Sequence, residues 1–275
     1  MNLSNETVIH IQKDEIQYLQ FKKLLEYPEI KYAYVLGLDK SFKIYDHPSE
    51  NESIKNELSK KAYKEICKEL NLKYQNLVNT MQNHTDNIKI IDKKVNATIP
   101  DFNIYQNTDG LITNKKEIIL ATINADCILL VFYDPVKKVI ANVHSGWKGT
   151  LKRISVKTIE KMKSQFECNP KNIICCMSPS IRQDHFEVKE DVYKMYTEEF
   201  KELNDEKYCI YKKRENNKYL IDTIKINRLI LKNEGLNENN IIDSGICSVC
   251  NKNLIHSYRG HGEEAGRATQ IITMV

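Results

Sequence analysis

The chain has 275 residues, 41% of them hydrophobic and 28% charged, which is typical of a soluble globular protein with a substantial core. Its formal net charge is +4, and its lysines are interleaved with glutamates, so the charge pattern argues against a nucleic-acid-binding surface. No apolar run approaches the ~20 residues that span a bilayer, and we expect no membrane association.

The cysteines stand at irregular positions, namely Cys67, Cys127, Cys168, Cys175, Cys176, Cys209, Cys247 and Cys250. Such spacing in a chain of this length does not indicate a disulfide framework. The N-terminus has no basic region followed by an apolar core, so no signal peptide is expected. These features favour the reducing cytoplasm. Since the sequence shows no repeat, low-complexity tract or linker, we predict one domain over residues 1–275.

Hydrophobic periodicity predicts strands and helices along the whole chain. Short apolar runs predict strands at residues 8–11, 32–38, 88–91, 118–123, 128–133, 139–143, 172–177, 208–211, 241–242 and 268–274. Amphipathic segments predict helices at residues 14–26, 53–70, 150–166, 189–203 and 222–233. Because these elements alternate but tight strand pairs also occur, we expect an α/β fold, a single layered domain with a mixed β-sheet flanked by helices.

The strongest functional pattern is a pair of apolar strands around the turn residues Asp134-Pro135. Cys127 precedes the first strand, at 128–133, and His144 follows the second, at 139–143. If the two strands pair antiparallel, the start of one lies beside the end of the other. The thiol and the imidazole then meet in space, and both groups are ligands for zinc.

A third ligand is available in His84, which lies in a polar turn before the strand predicted at 88–91. Two imidazoles and one thiolate suit zinc, and three protein ligands leave the open position that catalytic zinc sites use. Spacing alone does not join His84 to the other two residues, and the alternative is a hydrogen-bonded surface histidine beside an inert core cysteine. Asp126, directly before Cys127, is predicted either to accept a hydrogen bond from a ligand histidine or to serve as a turn residue.

Cationic side chains form a candidate anion site. Lys148 and Arg153 stand around the start of the helix predicted at 150–166, where backbone amides together with a cation favour phosphate. Arg259 and Arg267, near the C-terminus, offer planar guanidinium groups suited to phosphate or carboxylate. The alternative for each residue is an ordinary solvated surface cation.

The segment Cys247-Ser-Val-Cys250 has the spacing of a metal or dithiol motif. A zinc ribbon needs a second such pair, which Cys175-Cys176 does not supply. A redox dithiol is conceivable, but its usual fold context is missing from the surrounding pattern. We therefore expect these two cysteines to be structural thiols.

Motif-like segments recur from about residue 75 to the C-terminus. They are Gln82-Asn-His84, Asp109-Gly-Leu-Ile-Thr113, Asn124-Ala-Asp-Cys127, His144-Ser-Gly-Trp-Lys-Gly149, Ser178-Pro-Ser-Ile181 with Phe186-Glu-Val188, and Cys247 to Cys250 with Ser257-Tyr-Arg259 and Gly266-Arg267. Together they resemble the laccase-domain or multicopper polyphenol oxidoreductase family, whose bacterial members are described as purine nucleoside phosphorylases. The N-terminal portion resembles this family weakly.

The resemblance implies one α/β domain that binds zinc through His84, Cys127 and His144. It also implies a monomeric enzyme that cleaves adenosine, inosine, guanosine and methylthioadenosine with inorganic phosphate and deaminates some adenosine. The residues expected to carry the chemistry are Cys127, Asp126 and His144 as catalytic residues and Lys148, Arg259 and Arg267 as phosphate-binding residues. Lys148 stands where the family usually has arginine, so it keeps the charge and loses the bidentate geometry.

Two other functions are compatible with parts of the pattern. A His₂Cys set also matches a blue-copper site, but a multicopper polyphenol oxidase needs many more histidines than the seven in this chain. A non-catalytic zinc-stabilised binding protein would normally offer four protein ligands, and no fourth is evident from the sequence. The phosphorylase is therefore the favoured prediction, with zinc as its cofactor and copper as the alternative.

Overall fold

The computed structural model describes residues 2–13, 16–36, 53–92, 103–203 and 206–275. The strands in these residues, in chain order, are β1 (Val8–Lys13), β2 (Ile16–Phe21), β3 (Ile30–Leu36), β4 (Leu77–Thr80), β5 (Ile88–Ile90), β6 (Asn103–Tyr105), β7 (Gly110–Thr113), β8 (Ile119–Asn124), β9 (Ile128–Asp134), β10 (Val139–Ser145), β11 (Ile174–Met177), β12 (Glu187–Lys189), β13 (Tyr211–Lys213), β14 (Lys218–Ile221), β15 (Ile241–Asp243) and β16 (Ala268–Met274). The helices are α1 (Lys22–Leu25), α2 (Ser53–Glu69), α3 (Trp147–Leu151), α4 (Ile154–Phe166), α5 (Glu190–Glu199), α6 (Thr223–Asn233) and α7 (Tyr258–His261). These elements confirm the predicted α/β class.

Two large sheets, each with parallel and antiparallel neighbours, form the centre of the molecule. The first has the strand order β1-β2-β3-β16-β8-β4-β6, and the second has the order β15-β11-β9-β10-β7-β5. A third sheet, of order β12-β14-β13, is antiparallel. The mixed pairing that the sequence predicts is thus distributed over two large sheets rather than one.

The two large sheets pack face to face. Their facing sides share one hydrophobic cluster, which contains Leu120 and Ile272 from the first sheet and Leu129 and Val131 from the second. Helix α2 packs on the outer side of the first sheet, and α4 and α6 pack on the outer side of the second. The layers therefore follow the order helix, sheet, sheet, helix, and the central strands are buried on both faces.

A buried asparagine on β10 joins the two sheets through hydrogen bonds. Asn142 Oδ1 accepts from Thr122 Oγ1 at 2.6 Å and from Gln270 Nε2 at 2.9 Å. Its Nδ2 donates to the carbonyls of Leu120 and Gln270, both at 2.9 Å. Because buried polar groups need partners, this network favours one offset of β10 against β8 and β16. It lies two residues before His144 and so helps to position the end of β10.

The β9–β10 hairpin confirms the predicted antiparallel pair. Its register runs from Val139 opposite Asp134 to Ser145 opposite Ile128. Strand β9 is buried over its whole length, because alternate side chains enter the two different core clusters on either side of the second sheet. A strand buried on both faces reads as a continuous apolar run, which explains the sequence pattern.

The prediction of a helix at residues 14–26 is wrong. Ile16–Phe21 forms strand β2, which is followed by the single-turn helix α1, and residues 14–15 lie outside the described residues. Strand β2 pairs with β1 and β3 and contributes Leu19 to one core cluster and Tyr18 to another. Apolar side chains on both faces of a strand produce a spacing that imitates a helix.

Other predicted elements differ in their bounds. The helix predicted at 150–166 is two helices, α3 and α4, which meet at Arg153, whose φ of 56° is left-handed. The helix predicted at 189–203 ends at Glu199. The strand predicted at 208–211 begins only at Tyr211, and the short strands β4, β6, β7, β12 and β14 were not predicted. Strands of three or four residues are too short to show a period.

The remaining predicted helices and strands agree with the structure to within a few residues, although residues 37–38 lie outside the described part of the chain. No helix in the described residues is long and apolar enough to cross a bilayer.

Candidate active site

Three metal-ligand side chains converge at the end of β10. His84, Cys127 and His144 each place a ligand atom within 4.8 Å of the others. The hairpin brings the last two to one edge, because His144 pairs with Leu129, two residues after the cysteine. His84 reaches them from the loop between β4 and β5, and its ring lies edge-on to that of His144 with centroids 4.9 Å apart. We call these three residues the first cluster.

Asp109 holds both histidines of the first cluster in place. Its fully buried carboxylate accepts a hydrogen bond from His144 Nδ1 at 2.8 Å. It also accepts from the backbone amides of His84 at 3.2 Å and Thr85 at 2.8 Å, and from Thr85 Oγ1 at 2.6 Å. Because an ionised carboxylate can only accept, Nδ1 of His144 carries the proton and Nε2 is the nitrogen left for a metal.

Burial and the neighbouring polar groups have opposite effects on the pKa values of Asp109 and His144. Burial disfavours the charged carboxylate of Asp109, but hydrogen bonds from His144 and Thr85 outweigh it and lower the pKa of Asp109. Burial also disfavours the imidazolium of His144, but the charge of the Cys127 thiolate and the hydrogen bond to Asp109 raise the pKa of His144 to about 9. The imidazole must therefore release a proton before it can bind a metal.

Gly146 leaves the space that the His84 ring occupies. A Cβ atom at this position would lie 2.3 Å from His84 Nδ1 and 2.7 Å from His84 Cε1. It would also lie 3.1 Å from Cε1 of His144. The first two distances are far below a van der Waals contact of about 3.5 Å. Close approach of the two imidazoles therefore requires glycine here.

Two amide side chains tie the segments that carry the first cluster. Gln82 Nε2 donates to the carbonyl of Ile123 at 2.7 Å, and Gln82 Oε1 accepts from the amide of Ile123 at 2.8 Å. Asn124 Nδ2 donates to the carbonyl of Cys127 at 2.5 Å. The loop that carries His84 is thus fastened to the end of β8, directly before the turn that carries Cys127. Spacing alone gave no sign of these roles.

A cavity of about 590 Å³ opens beside the first cluster, and the three cluster residues line it. This size falls within the ~300–1,000 Å³ typical of small-molecule sites. Trp147, Phe186 and Tyr258 also line the cavity, and we call them the aromatic wall. Arg259 and Arg267 contribute cationic groups to the lining. The cavity therefore combines side chains that could hold a metal ion, aromatic surface and positive charge.

Comparison with known proteins places the chain in a family. The model described as multi-copper polyphenol oxidoreductase laccase matches residues 51–275. The chain belongs to this laccase family. A crystal structure of the Bacillus licheniformis hypothetical protein YfiH matches the fold with a TM-score of 0.83 at 20% identity, covering 97% of this chain and 99% of that one. The family predicted from the sequence motifs is thus confirmed, and so is the fold.

Two sequence relatives in this laccase family have named activities. The chain is 33% identical over 167 residues to "Purine nucleoside phosphorylase YlmD" of Bacillus subtilis, covering 61% of this chain and 59% of that protein. It is 30% identical over 204 residues to "Adenosine deaminase RL5" of an unknown prokaryotic organism, covering 74% of this chain and 76% of that protein. The match therefore spans less than two thirds of the Bacillus subtilis relative.

Asp126 lines the cavity of this laccase-family protein, but its carboxylate accepts hydrogen bonds from groups other than a cluster histidine. Oδ1 accepts from Ser248 Oγ at 2.6 Å, and Oδ2 accepts from the backbone amide of Arg259 at 2.7 Å. The hydrogen bond from a cluster histidine, one of the two roles predicted for Asp126, is made by Asp109 instead. The reason is the left-handed backbone of Asp126, with a φ of 84°, which places it in a turn rather than on a strand.

Two of the three predicted phosphate-binding residues line the cavity. The Arg259 guanidinium donates through Nη1 to the carbonyl of His185 at 2.5 Å. The Arg267 guanidinium donates through Nη1 to the carbonyls of Ala265 and Gly266, at 3.0 and 3.1 Å. Backbone carbonyls thus orient both groups at the cavity.

The other two cations that the sequence suggested for anion binding, Lys148 and Arg153, lie outside the lining of this cavity in the part of the chain that the structure describes. Lys148 is exposed, and its Nζ lies 5.3 Å from the centre of the Trp147 ring, outside the cavity lining formed by the described residues. Arg153 forms ion pairs with Glu199 and Glu202 at 2.5 and 2.7 Å. The structure therefore separates these two residues from the pair of arginines at the cavity.

Proposed function

We propose that the protein is a zinc-containing purine nucleoside phosphorylase. In this proposal it cleaves adenosine, inosine, guanosine and methylthioadenosine with inorganic phosphate, and the products are the free base and ribose 1-phosphate or methylthioribose 1-phosphate. The observation that carries the proposal is the position of the first cluster, which lines a cavity of about 590 Å³ together with Arg259 and Arg267. The name of the Bacillus subtilis relative supports the substrate class.

The donor set of the first cluster fits zinc. Two imidazoles and one thiol are zinc ligands, Asp109 presents Nε2 of His144, and Gly146 makes room for His84. A zinc ion in such a three-ligand site supplies a Lewis acid with an open position. Copper oxidase chemistry has less support, because the described residues offer two groups of three metal ligands with only three histidines in total.

Different parts of the cavity suit different parts of a nucleoside and phosphate. The aromatic wall offers apolar surface on which a purine can stack. Arg259 and Arg267 hold the phosphate, since oriented guanidinium groups form strong charge-assisted hydrogen bonds with its oxygens. Lys148 is exposed and adds positive charge from outside the cavity lining. Phosphate is thereby brought beside the sugar.

Asp126 stabilises the positive charge that develops on the ribose during cleavage. Breaking the glycosidic bond places positive charge on the ribose, and a carboxylate at the cavity stabilises that charge. Hydrogen bonds from Ser248 and the Arg259 amide hold the Asp126 carboxylate in position for this role. In adenosine deamination, in which water replaces the amino group and ammonia leaves, Asp126 moves protons. The similarity to the adenosine deaminase favours this second activity.

The proposal covers residues 1–275 as one domain that acts as a monomer in the cytoplasm. One hydrophobic cluster contains both Leu3 and Met274 and joins the two large sheets, which supports a single unit. All eight cysteines are free thiols, as a reducing compartment favours. Sedimentation analysis of the purified protein tests the monomer, since a dimer would double the mass.

Product analysis combined with metal analysis tests the function. The protein is incubated with adenosine or inosine, with and without phosphate, and free base, ribose 1-phosphate and bound metal are measured. Phosphate-dependent base release by a zinc-loaded protein is the expected result. A folded, zinc-loaded protein that cleaves neither nucleoside contradicts the proposal and favours a non-catalytic zinc-binding protein. Bound copper with oxidation of phenols favours the polyphenol oxidase.

A further inference from the structure

A second group of metal-ligand side chains lies outside the first cluster. His185, Cys247 and Cys250 each place a ligand atom within 4.8 Å of the others. The Sγ atom of Cys247 lies 3.6 Å from Nδ1 of His185, and that of Cys250 lies 4.0 Å from Nδ1. We call these residues the second cluster. The histidine is the partner that the sequence spacing of the two cysteines did not reveal.

The distances in the second cluster match a tetrahedral metal site. Zinc binds sulfur at about 2.3 Å and nitrogen at about 2.0–2.1 Å, so tetrahedral angles place sulfur and nitrogen ligands about 3.6 Å apart. The observed separations of 3.6 and 4.0 Å need only small side-chain rotations to reach this value. Cys247 is buried and Cys250 is exposed, so the group is open to solvent on one side. A water molecule can complete four-coordination there.

The two loops that carry the second cluster are fastened to each other by contacts that do not use the three ligand side chains. Arg182 donates through two nitrogens to the carboxylate of Asp243, at 2.6 and 2.7 Å. Ser180 and Cys247 form a parallel β-bridge, and the amide of Ser248 donates to the carbonyl of Ser180 at 3.1 Å. These contacts bring His185 and the cysteines close together, which is the preorganisation that a binding site needs.

We propose that His185, Cys247 and Cys250 form a second metal site, which binds a thiophilic divalent ion of the zinc class. Two thiolates and one imidazole prefer such an ion to magnesium or calcium, which take oxygen ligands. The proposal rests on the second cluster alone and is independent of the nucleoside chemistry.

The second metal site acts as a positioning element for the cavity. Ser248 lies between the two cysteines, and its hydroxyl donates to Asp126. The carbonyl of His185 accepts from the Arg259 guanidinium. A metal that joins His185 to Cys247 and Cys250 therefore holds two segments that contact cavity residues. This consequence does rest on the proposed function of Asp126 and Arg259.

Zinc titration of the full-length protein tests the second site. The chain is purified under reducing conditions, stripped with a chelator and titrated with zinc alone, and bound zinc is counted after dialysis. We expect two zinc ions in the wild type, one in Cys127→Ser, one in Cys250→Ser and none in the double variant. Cys209→Ser is the matched control, since Cys209 is an exposed thiol that belongs to neither cluster, and it should keep two zinc ions.

A spectroscopic and a stability measurement keep the test independent of activity. In Cys127→Ser loaded with cobalt(II), we expect a thiolate-to-metal charge-transfer band, which Cys250→Ser should weaken or abolish. Zinc should raise the unfolding temperature of Cys127→Ser, because a ligand that binds only the folded state stabilises it. Both results are expected whether or not the protein cleaves nucleosides.

Several outcomes overturn the second site. One is a Cys127→Ser protein that is folded but binds no zinc. Another is a Cys250→Ser protein that binds as much zinc as the wild type. A third is a disulfide between Cys247 and Cys250 in freshly purified protein that withstands the reducing buffer, since both thiols would then be unavailable as ligands. Loss of phosphorolysis in Cys127→Ser with one zinc ion retained supports the second site and separates it from the first.

Discussion

The proposed metal side and the proposed anion side of the cavity are held by different means. The first cluster is fixed by the ends of buried strands and by Asp109, whose carboxylate is completely inaccessible to solvent. Arg259 lies on an exposed C-terminal segment and is oriented by hydrogen bonds to backbone carbonyls. Metal ligands need positions accurate to a fraction of an ångström, whereas a phosphate can be held by charges at several places. Substitutions of the residues that hold the first cluster should therefore impair the protein far more than substitutions on the anion side.

The largest effect is expected from Asp109→Asn. Removing one partner of a buried ion pair costs about 3–5 kcal/mol, and the free energy of unfolding should fall by about this amount. Asparagine carries no charge and has one acceptor oxygen where the carboxylate has two, so it cannot accept from both His144 and Thr85, and the affinity for zinc should fall about 10–100-fold. Denaturant unfolding and zinc titration measure the two effects.

The matched control for this variant is Asp86→Asn, in the loop that carries His84. Asp86 forms ion pairs with Lys152 and Lys157, at 3.3 and 2.5 Å, and its side chain is 29% exposed. Such a pair contributes less than about 1 kcal/mol, and the affinity for zinc should not change. Equal losses in Asp86→Asn and Asp109→Asn would show that burial is not what holds the first cluster.

Gly146→Ala should disrupt the first cluster with a smaller loss of stability. The new Cβ would overlap the His84 ring, so the ring must move and the affinity for zinc should fall at least tenfold, with a destabilisation of about 1–3 kcal/mol from overpacking. Gly149→Ala is the control, because its Cβ would meet its nearest neighbour, Ile154 Cγ2, at an ordinary 3.4 Å. If both variants bind zinc like the wild type, the close approach of the His84 ring to Gly146 is not needed for zinc binding.

On the anion side, Arg259→Ala should weaken phosphate binding more than Lys148→Ala. Hydrogen bonds to charged groups contribute about 1.5–3 kcal/mol, so we expect the KM for phosphate to rise about 10–100-fold in Arg259→Ala. Lys148 is exposed and outside the cavity lining, and its removal should change this KM less than about threefold. Steady-state kinetics at saturating inosine measure both. A larger effect for Lys148→Ala would assign phosphate to the helix start instead.

The smallest effect is expected at a peripheral ion pair. Hydrogen bonds from Lys138 and Tyr133 lower the pKa of Glu29 to about 2. Since the folded-state pKa lies below the ordinary value of about 4.5, Glu29 stabilises the fold above that pH, and the contribution is lost as the pH falls towards 2. The free energy of unfolding of the wild type should therefore exceed that of Glu29→Gln by less than about 1 kcal/mol at pH 6.

Unfolding measured at several pH values from 6 to 3 checks this prediction for Glu29. The difference between the two proteins should shrink steadily as the pH falls. A difference that grows towards pH 3 would contradict the sign of the pKa shift, and a difference as large as that of Asp109→Asn would remove the contrast between exposed and buried pairs.

The sequence predicted the part of the site that depends on one hairpin. Two apolar runs around Asp134-Pro135 predicted an antiparallel pair, and that pairing by itself brings Cys127 beside His144. Local pattern was sufficient here because the strands are adjacent in the chain and their register follows from one turn.

Other parts of the site depend on contacts between distant segments. His84 joins the first cluster through Asp109, which is 25 residues away, and the sequence showed Asp109 only as the first residue of a motif-like segment. His185 lies 62 residues before Cys247, so no short spacing connects them. A pattern of local periods does not encode such contacts, which arise when the sheets pack.

The same limit explains the error at β2. The apolar spacing of Ile16–Phe21 fits a helix, and the tertiary structure places this segment between two antiparallel neighbours instead. Burial on both faces then decides the conformation over local preference.

The most direct test of the central claim is the rate at which wild type and Cys127→Ala form ribose 1-phosphate from inosine and phosphate. Zinc content and circular dichroism are measured on the same samples. We expect phosphate-dependent product from the zinc-loaded wild type, and at least a 100-fold slower rate from a folded Cys127→Ala protein that has lost the zinc of the first cluster. Equal rates in the two proteins, or no product from the zinc-loaded wild type, would contradict a phosphorylase built on His84, Cys127 and His144.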